Sequence, residues 1–448
     1  MSTPPPFRYD GYRLDPARGL LACRYSLGEY RFEERLTFPA AGRWDAPQTG
    51  LAARLVFLLA GVSYYKTAAP PVIDLGETAV TERERDFLRA FYLDGLGEFG
   101  YRNGLDLSGL RIEGPAARSG PPAPGPAAAP ATRPLVPFGG GIDSIVTVEL
   151  VRARAQPALF VVSRPGDLFE AIERPAAVTG LPVLRAGREI DAQLLRSTAL
   201  GFLNGHVPVT GIISAIAVMA AVLDGRDAVV MSNEWSASTP TLETRGRPIN
   251  HQYSKSVSFE AAFRHVLRES LGGTVSYFSE LRPFSELWVA QRFAQLTAYH
   301  GSFRSCNRAF YTNPQLRLDH WCGECDKCCF IDLILAPYLP AADLDRIFGG
   351  REPLADPDTH GELAGRFRAL LATSADRKPF ECVGEVSECR AAAALAAQRP
   401  DRAQTRLLQA LAGELDGLPG EFTTADALLR PLSTHFIPDA YAPDDLLV

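Results

Sequence analysis

Residues 135–144 read LVPFGGGIDS, an apolar run followed by three glycines and the polar start of a helix. Consecutive glycines allow backbone conformations that point several N–H groups at one anion. The N-terminus of the helix that follows would add its partial positive charge. The segment therefore predicts a phosphate-binding turn between a strand and a helix, with an ordinary tight turn as the alternative.

The segments around this turn alternate between apolar strand patterns and helical patterns. Further strands are predicted at 158–163, 181–184 and 228–232, and helices at 143–155, 167–179 and 211–223. Strands that alternate with helices are typical of a parallel, doubly wound sheet with helices on both faces. The predicted fold class is therefore α/β.

The regions on either side of this part have other patterns. Short alternating stretches within 7–43 indicate a small β-meander, and residues 51–62 and 82–99 have helical patterns. A run of Pro, Ala and Gly up to Pro134 is typical of a linker. The predicted divisions are an α+β N-terminal domain at 1–114, a linker at 115–134, an α/β domain at 135–345 and a mostly helical C-terminal region at 346–448.

The totals narrow the class of protein. The chain has 448 residues, 46 basic and 52 acidic side chains and a net charge of -6, which argues against a surface that coats nucleic acid. The longest apolar run, 211–223, is shorter than the roughly 18–20 residues that cross a membrane. The N-terminus does not resemble a signal peptide. We therefore expect a soluble, cytoplasmic protein without a nucleic-acid or membrane partner.

Four of the eight cysteines have the spacing of a metal site. Cys306 is followed by Cys322, Cys325 and Cys328. Two-residue gaps let one turn direct consecutive thiolates at one centre, and four thiolates make a closed tetrahedral zinc site. Since no position is left open, a structural metal is favoured over a catalytic one. An iron–sulfur cluster uses the same ligands and stays open as an alternative.

Polar residues follow the predicted strand 228–232. Asn233 and Glu234 come directly after it, and ligands bind at the carboxyl ends of the strands in open α/β sheets. Both are therefore expected to face a substrate or Mg²⁺. The next polar segment carries His251 and Lys255, which could contact phosphate or exchange protons. A weaker cluster is formed by Arg282, Ser285 and Glu286.

With these motifs identified, the glycine turn resembles the SGGxDS loop of the PP-loop ATP pyrophosphatases, which split ATP between the α and β phosphates. The loop carries over at Gly140, Gly141, Asp143 and Ser144, whereas Gly139 replaces the first serine. The resemblance implies a PP-loop fold and ATP binding by this turn. The cysteine cluster is similar to one that holds zinc in 7-cyano-7-deazaguanine synthases.

The chain as a whole resembles the UDP-N-acetyl-α-D-muramoyl-L-alanyl-L-glutamate epimerases. The resemblance rests on LLAGVSYYK (58–66), YLDGLGEFGYRNGLDL (92–107), GGGIDS (139–144), NGHVPVT (204–210), SNEWSAS (232–238), INHQYSKS (249–256), LRPFSEL (281–287), SCNRAF (305–310), HWCGECDKC (320–328) and KPFECVGE (378–385). Members of the family usually have a lysine where this chain has Ile142.

The resemblance implies inversion of the terminal L-glutamate of a muramoyl dipeptide, with ATP converted to AMP and diphosphate, in the synthesis of peptidoglycan precursors. Adenylation removes the negative charge of the α-carboxylate, so that the α-proton can leave and return on the other face. The implied cofactors are ATP, Mg²⁺ and a structural Zn²⁺. The residues expected to handle ATP are Gly139, Gly140, Gly141, Asp143 (through Mg²⁺), Ser144 and Asn233.

The residues that exchange the proton are left open at this point. The candidates are Lys255, His251, Lys378 and Cys382, with Glu234 beside them, and a pair of Cys382 with Cys389 is the rival. A PP-loop amide ligase or nucleobase-modifying enzyme is the alternative activity, and it would need a nitrogen donor. A nucleotide-binding protein without catalysis is the third possibility.

Overall fold

The structure is a computed structural model that describes residues 4–117, 132–244, 246–374, 378–416, 418 and 423–446. Over these residues the chain forms a ten-stranded sheet, a separate two-stranded hairpin and sixteen α-helices. The strands are β1 (Phe7–Asp15), β2 (Leu20–Leu27), β3 (Tyr30–Thr37), β4 (Val72–Asp74), β5 (Arg111–Glu113), β6 (Pro134–Pro137), β7 (Ala158–Ser163), β8 (Val183–Glu189), β9 (Ala228–Met231), β10 (Leu242–Thr244), β11 (Arg247–Ile249) and β12 (Ser276–Ser279).

The helices surround the sheet and build the C-terminal part. They are α1 (Pro47–Ala60), α2 (Val62–Tyr65), α3 (Glu82–Leu93), α4 (Gly97–Asn103), α5 (Ile142–Arg152), α6 (Glu170–Thr179), α7 (Ala192–Leu195), α8 (Val209–Asp224), α9 (Val257–Leu271), α10 (Glu286–Ala294), α11 (Asp326–Leu335), α12 (Ala341–Ile347), α13 (Glu362–Leu371), α14 (Val386–Ala397), α15 (Arg406–Asp416) and α16 (Ala425–Leu428).

Five parallel strands form the part of the sheet that was predicted as doubly wound. Their order is β8-β7-β6-β9-β12, so the direction of winding reverses between β6 and β9. Successive residues of β6 point to opposite faces: Leu135 joins one buried core and Val136 the other. This confirms the α/β class. A crevice opens where the winding reverses, at the carboxyl ends of β6 and β9.

The N-terminal strands extend the same sheet. The meander predicted within 7–43 is confirmed as β1, β2 and β3, and β3 pairs antiparallel with the edge strand β8. How the chain divides into domains stays a prediction, although strands of both predicted domains share one sheet. Most of the predicted linker at 115–134 lies outside the described residues.

Two predicted helices differ in an informative way from those observed. The apolar run at 211–223 is confirmed as the buried helix α8, and across the described ranges no helix is long and apolar enough to cross a membrane. The pattern at 82–99 forms two helices instead of one, because the chain turns at Gly95. A Cβ there would lie 2.2 Å from the Phe91 carbonyl oxygen. The turn sets the direction of α4, which reaches the candidate site.

Candidate active site

The glycine turn joins β6 to α5 at the crevice. Gly140 has a φ of +76°, and a Cβ there would lie 2.2 Å from the Ala171 carbonyl oxygen, so that only glycine fits. Gly139 faces open space. Gly141 holds the cap position of α5 and has no side chain to accept from the first N–H groups. Those groups remain available to an anion.

Two neighbouring side chains complete the turn without entering it. The Ser144 hydroxyl donates to the Gly141 carbonyl at 3.0 Å, which fixes the first turn of α5. Ile142, at the position where the family usually has lysine, is 1% exposed and packs into the core. Any phosphate contact in this chain therefore comes from the backbone and from other side chains.

Three carboxylates converge next to the turn. Asp143 lies in the first turn of α5, Glu234 follows β9 and Glu286 begins α10, and their oxygens lie within 4.8 Å of one another. Burial and the charge of Glu234 raise the pKa of Asp143. Burial and the charge of Asp143 raise the pKa of Glu286. Asp143 Oδ1 and Glu286 Oε2 are buried without hydrogen-bond partners, so this group fits a hard divalent cation.

Asn233, predicted to face the ligand, also contacts the neighbouring strand. Its Nδ2 donates to the Ser279 hydroxyl oxygen at 3.0 Å, and the residue is 4% exposed. The contact joins the carboxyl ends of β9 and β12. Its predicted role in ATP binding stays a prediction.

Lys255 and Cys382 lie in direct contact. Lys255 Nζ lies 3.2 Å from Cys382 Sγ. Burial raises the thiol pKa, but Lys255 and His251 outweigh it and lower the pKa of Cys382 to about 7. Burial would lower the pKa of Lys255, whereas Cys382, and then the carboxylates beyond it, raise it. The pair is therefore poised as ammonium and thiolate near neutral pH.

Arg282, a member of the weaker predicted cluster, contacts the backbone beside both Glu234 and Lys255. It is fully buried and pairs with Glu260 at 3.0 Å. Its guanidinium donates to the backbone carbonyls of Glu234 and Lys255. One planar cation thus fixes the chain at a carboxylate and at the lysine, with its charge balanced by Glu260.

His251 is a second basic residue next to Cys382. Its Nδ1 lies 2.5 Å from Glu98 Oε2, and its ring is 4.3 Å from the ring of His206. Burial lowers the pKa of His251, but hydrogen bonds with Cys382 and Glu98 raise it to about 9. Burial and the charge of His251 lower the pKa of His206 to about 4. Hence His251 carries a proton at neutral pH and His206 does not.

The remaining proton-transfer candidates are placed differently. Lys378 pairs with Glu385 at 2.9 Å, with both side chains largely buried. The Cys389 thiol lies in the core, 3.8 Å from the Val383 carbonyl oxygen, and burial raises its pKa. The structure therefore offers an activated thiol at Cys382 but not at Cys389. The catalytic role of Lys378 stays a prediction.

The four predicted metal ligands come together in a second group. Cys306, Cys322, Cys325 and Cys328 have sulfur atoms within 4.8 Å of one another. Cys328 Sγ lies 3.6 Å from Cys322 Sγ and 3.5 Å from Cys325 Sγ. The cluster could hold a metal ion. Cys329 is buried in the core and is not part of this group of four.

Sequence reasoning gave no role to several groups that line the site. The Lys327 ammonium donates to the Cys382 carbonyl, and Glu388 accepts from the Glu286 backbone N–H at 2.7 Å. Glu98 and His206 also had no predicted role. All except Glu388 lie inside the segments on which the family resemblance rests, and Lys327 is also one of only four lysines in the sequence. These were the signals that could have found them.

Two cavities lie near elements that carry site residues, the glycine turn and α4. One of about 610 Å³ lies beside the glycine turn and is lined by Ala171, Asp167 and Arg317, among others. The other, of about 240 Å³, lies against α4 and β11 and is lined by Tyr101 and Arg247, among others.

Comparison with known proteins shows the family to which the chain belongs. The MurL N-terminal domain family matches residues 2–280 and the MurL C-terminal domain family matches residues 302–425. The chain is 39% identical to the UDP-N-acetyl-alpha-D-muramoyl-L-alanyl-L-glutamate epimerase of Salinispora tropica, over 97% of this chain and 94% of the relative. It is 38% identical to the protein of the same name from Xanthomonas oryzae pv. oryzae, over 97% and 95%. This chain belongs to the family of UDP-N-acetyl-α-D-muramoyl-L-alanyl-L-glutamate epimerases.

Proposed function

We propose that this protein uses ATP to convert the terminal L-Glu of UDP-MurNAc-L-Ala-L-Glu to D-Glu and releases AMP and diphosphate. The relatives' names support the substrate and the inversion. The observation that carries the mechanism is the position of Lys255. It faces the Cys382 thiol and also the carboxylates of Glu234 and Asp143, so that nucleotide chemistry and proton transfer share one site.

The chemistry requires activation before the proton leaves. An α-carboxylate carries a negative charge that opposes formation of a carbanion beside it, and the amide nitrogen of the peptide cannot form a Schiff base with pyridoxal phosphate. In the proposed first step a carboxylate oxygen attacks the α-phosphorus of ATP, and the bond to diphosphate breaks. The resulting acyl-adenylate is a neutral acyl group that can accept an electron pair as an enolate.

The glycine turn is proposed to hold the phosphates. The backbone N–H groups that follow Gly140 and Gly141 meet the anion, and the cavity of about 610 Å³ beside them has room for the nucleoside. Asp143, Glu234 and Glu286 would hold Mg²⁺. The bound ion would supply charge neutralisation for the phosphates and for these three carboxylates.

Cys382 is proposed as the base. Its thiolate removes the α-proton, and the electron pair moves into the acyl carbonyl. A second group returns a proton to the opposite face, and water then attacks the acyl carbon and releases AMP. His251 and Lys255 both carry a proton at neutral pH. Activity should fall below pH 7, where the thiol is protonated. A second fall near pH 9 assigns the acid to His251, and its absence assigns it to Lys255.

The four cysteines are proposed to hold structural Zn²⁺. Bonds of about 2.3 Å from zinc to sulfur in a tetrahedron place the sulfurs about 3.8 Å apart, close to the 3.5 and 3.6 Å observed. An iron–sulfur cluster that binds each thiolate through its own iron would hold them farther apart. The lysine between two of the ligands, Lys327, donates to the Cys382 carbonyl. The metal would thereby fix the segment that carries the base.

The test is a reaction in D₂O. Purified protein would be incubated with UDP-MurNAc-L-Ala-L-Glu, ATP and Mg²⁺, and AMP, the chirality of glutamate and deuterium at its α-carbon would be measured. We expect one AMP for each D-Glu, with deuterium at the α-carbon. AMP formation that depends on ammonia would support an amide ligase instead. No AMP in the presence of the peptide would refute the proposal.

Two variants separate the proposed steps. Cys382→Ala should keep formation of AMP and diphosphate but lose both inversion and deuterium exchange, because the carboxylate can still be activated. Asp143→Asn should lose all of these reactions together. A Cys382→Ala protein that inverts glutamate at the wild-type rate would exclude Cys382 as the base.

A further inference from the structure

The short helix α4 contacts two parts of the proton-transfer cluster. Glu98, on its first turn, is 5% exposed and lies 2.5 Å from His251 Nδ1. The other carboxylate oxygen of Glu98 accepts from Arg102 at 2.5 Å. A carboxylate held on one side by an arginine can turn only one oxygen toward the imidazole. This geometry fixes both the position and the orientation of the ring.

The same helix contacts the segment that carries Cys382. The Arg102 guanidinium lies 4.9 Å from the centre of the Phe380 ring, and the Tyr101 ring lies 6.0 Å from it. The His251 ring lies 6.2 Å from the same phenylalanine. Phe380 is two residues before Cys382. Thus α4 packs against the histidine and also against the chain that brings the thiol to it.

We propose that Glu98 is a positioning residue for proton transfer. It accepts a hydrogen bond from Nδ1 of His251 and thereby directs the other ring nitrogen at the Cys382 sulfur, where the imidazolium stabilises the thiolate. The inference rests on the proposed role of Cys382, and it adds a residue from α4, 153 positions away from His251 in sequence. The charged groups that face the sulfur are Lys255, His251 and Lys327 from α11.

A metal ion is the competing explanation for the same residues. Glu98, His206 and His251 offer ligand atoms within 4.8 Å of one another. The contact between Glu98 Oε2 and His251 Nδ1 is a hydrogen-bond distance, and His251 also hydrogen-bonds with Cys382. The imidazole therefore already has two partners, the Glu98 carboxylate and the Cys382 thiol. The structure favours a carboxylate–imidazole–thiol chain.

The experiment compares Glu98→Gln with the wild type by a readout that does not need turnover. The rate of alkylation of Cys382 by iodoacetamide would be followed by mass spectrometry of its peptide between pH 5 and 10. The amide keeps the size of the side chain but removes its charge. We expect the rate at pH 7 to fall about fivefold, because a rise of the thiol pKa from about 7 to about 8 lowers the thiolate fraction from about one half to about one tenth. We also expect kcat to fall while KM changes little.

Glu84→Gln is the matched control. Glu84 is also a buried glutamate paired with an arginine, Arg54, at 2.6 Å, but it lies on α3 and has no contact with the cluster. Its substitution should lower thermal stability and leave the alkylation profile unchanged. If both variants change the profile alike, general loosening explains the effect and the positioning role is refuted.

Two further outcomes decide between the explanations. An unchanged Cys382 profile in Glu98→Gln would refute the positioning role even if the wild type epimerises its substrate. A wild-type protein without epimerase activity would refute the proposed function and leave the alkylation result interpretable. The metal content of the two proteins would also be measured. If the wild type holds one metal ion in addition to that of the four cysteines and Glu98→Gln lacks it, Glu98 is a metal ligand and the positioning role is refuted.

Discussion

Two adjacent glycines of the glycine turn, Gly139 and Gly140, should respond oppositely to substitution. Gly140 has a φ of +76°, and a Cβ there would lie 2.2 Å from a backbone oxygen, whereas a Cβ added at Gly139 would meet no atom within 4 Å. We therefore predict that Gly140→Ala disrupts the turn and that Gly139→Ser is accepted. The serine would also restore the hydroxyl present in the related SGGxDS loops.

The magnitudes follow from these contacts. An alanine in the left-handed region costs about 1–2 kcal/mol, and the displacement needed to relieve the collision adds about 1–3 kcal/mol. Gly140→Ala should therefore lower the free energy of unfolding by about 2–5 kcal/mol. Gly139→Ser should change it by less than about 0.5 kcal/mol. A hydroxyl that donates to a phosphate oxygen contributes about 1.5 kcal/mol, so the Kd for ATP should fall about tenfold.

Urea unfolding would measure the stabilities, and isothermal titration calorimetry with ATP and Mg²⁺ would measure the affinities. Gly139→Ala is the control, because it adds the Cβ without the hydroxyl and should leave the affinity unchanged. Wild-type stability and ATP affinity in Gly140→Ala would refute the prediction that this position requires glycine. A Gly139→Ser protein that binds ATP as weakly as Gly140→Ala would refute the prediction that Gly139 accepts a side chain.

Two other substitutions test the charges and the metal. Lys255→Met removes the main cation beside Cys382, so the pKa of the thiol should rise from about 7 to 9 or above. The thiolate fraction at pH 7 would then fall from about one half to about 1%. Alkylation of Cys382 at pH 7 should therefore slow about 50-fold. Lys255→Arg keeps the charge, so its Cys382 should be alkylated at a rate within a few-fold of the wild-type rate. Equal rates for the wild type and Lys255→Met would show that Lys255 does not lower the pKa of the thiol. Cys322→Ser should abolish binding of one zinc per chain, as measured by elemental analysis, and lower the melting temperature. Retention of a full equivalent of zinc would exclude the four-cysteine site.

The features that could be predicted from sequence are those whose cause is local. The glycine turn was identifiable because three adjacent residues and the helix after them determine its conformation. The cysteine cluster was identifiable because two-residue gaps direct Cys322, Cys325 and Cys328 to one point, and only Cys306 comes from another segment. The alternation of apolar strands with helices gave the α/β class for the same reason.

The features that could not be predicted depend on contacts between distant segments. Glu98 and His251 meet only because the chain turns at Gly95 and directs α4 toward the site. The periodicity at 82–99 indicated one helix, since a turn of three residues hardly changes a 3.6-residue pattern. The pairing of β3 with β8 likewise joins edges that no local pattern relates. Family resemblance marked the segment that carries Glu98 without indicating its partner.

The arrangement of charges would also link the two halves of the proposed reaction. Lys255 is attracted by the Cys382 thiolate on one side and by Glu234 and Asp143 on the other. A Mg²⁺ ion among the carboxylates would neutralise them, so that the ammonium would interact mainly with the thiolate and the ion would add its own field. Both effects favour the ionised thiol. Mg²⁺ without nucleotide should therefore speed alkylation of Cys382 at pH 6, below the thiol pKa of about 7. Glu286→Gln should weaken the effect. An alkylation rate that Mg²⁺ leaves unchanged or lowers would show that the carboxylate group and the base do not communicate through Lys255.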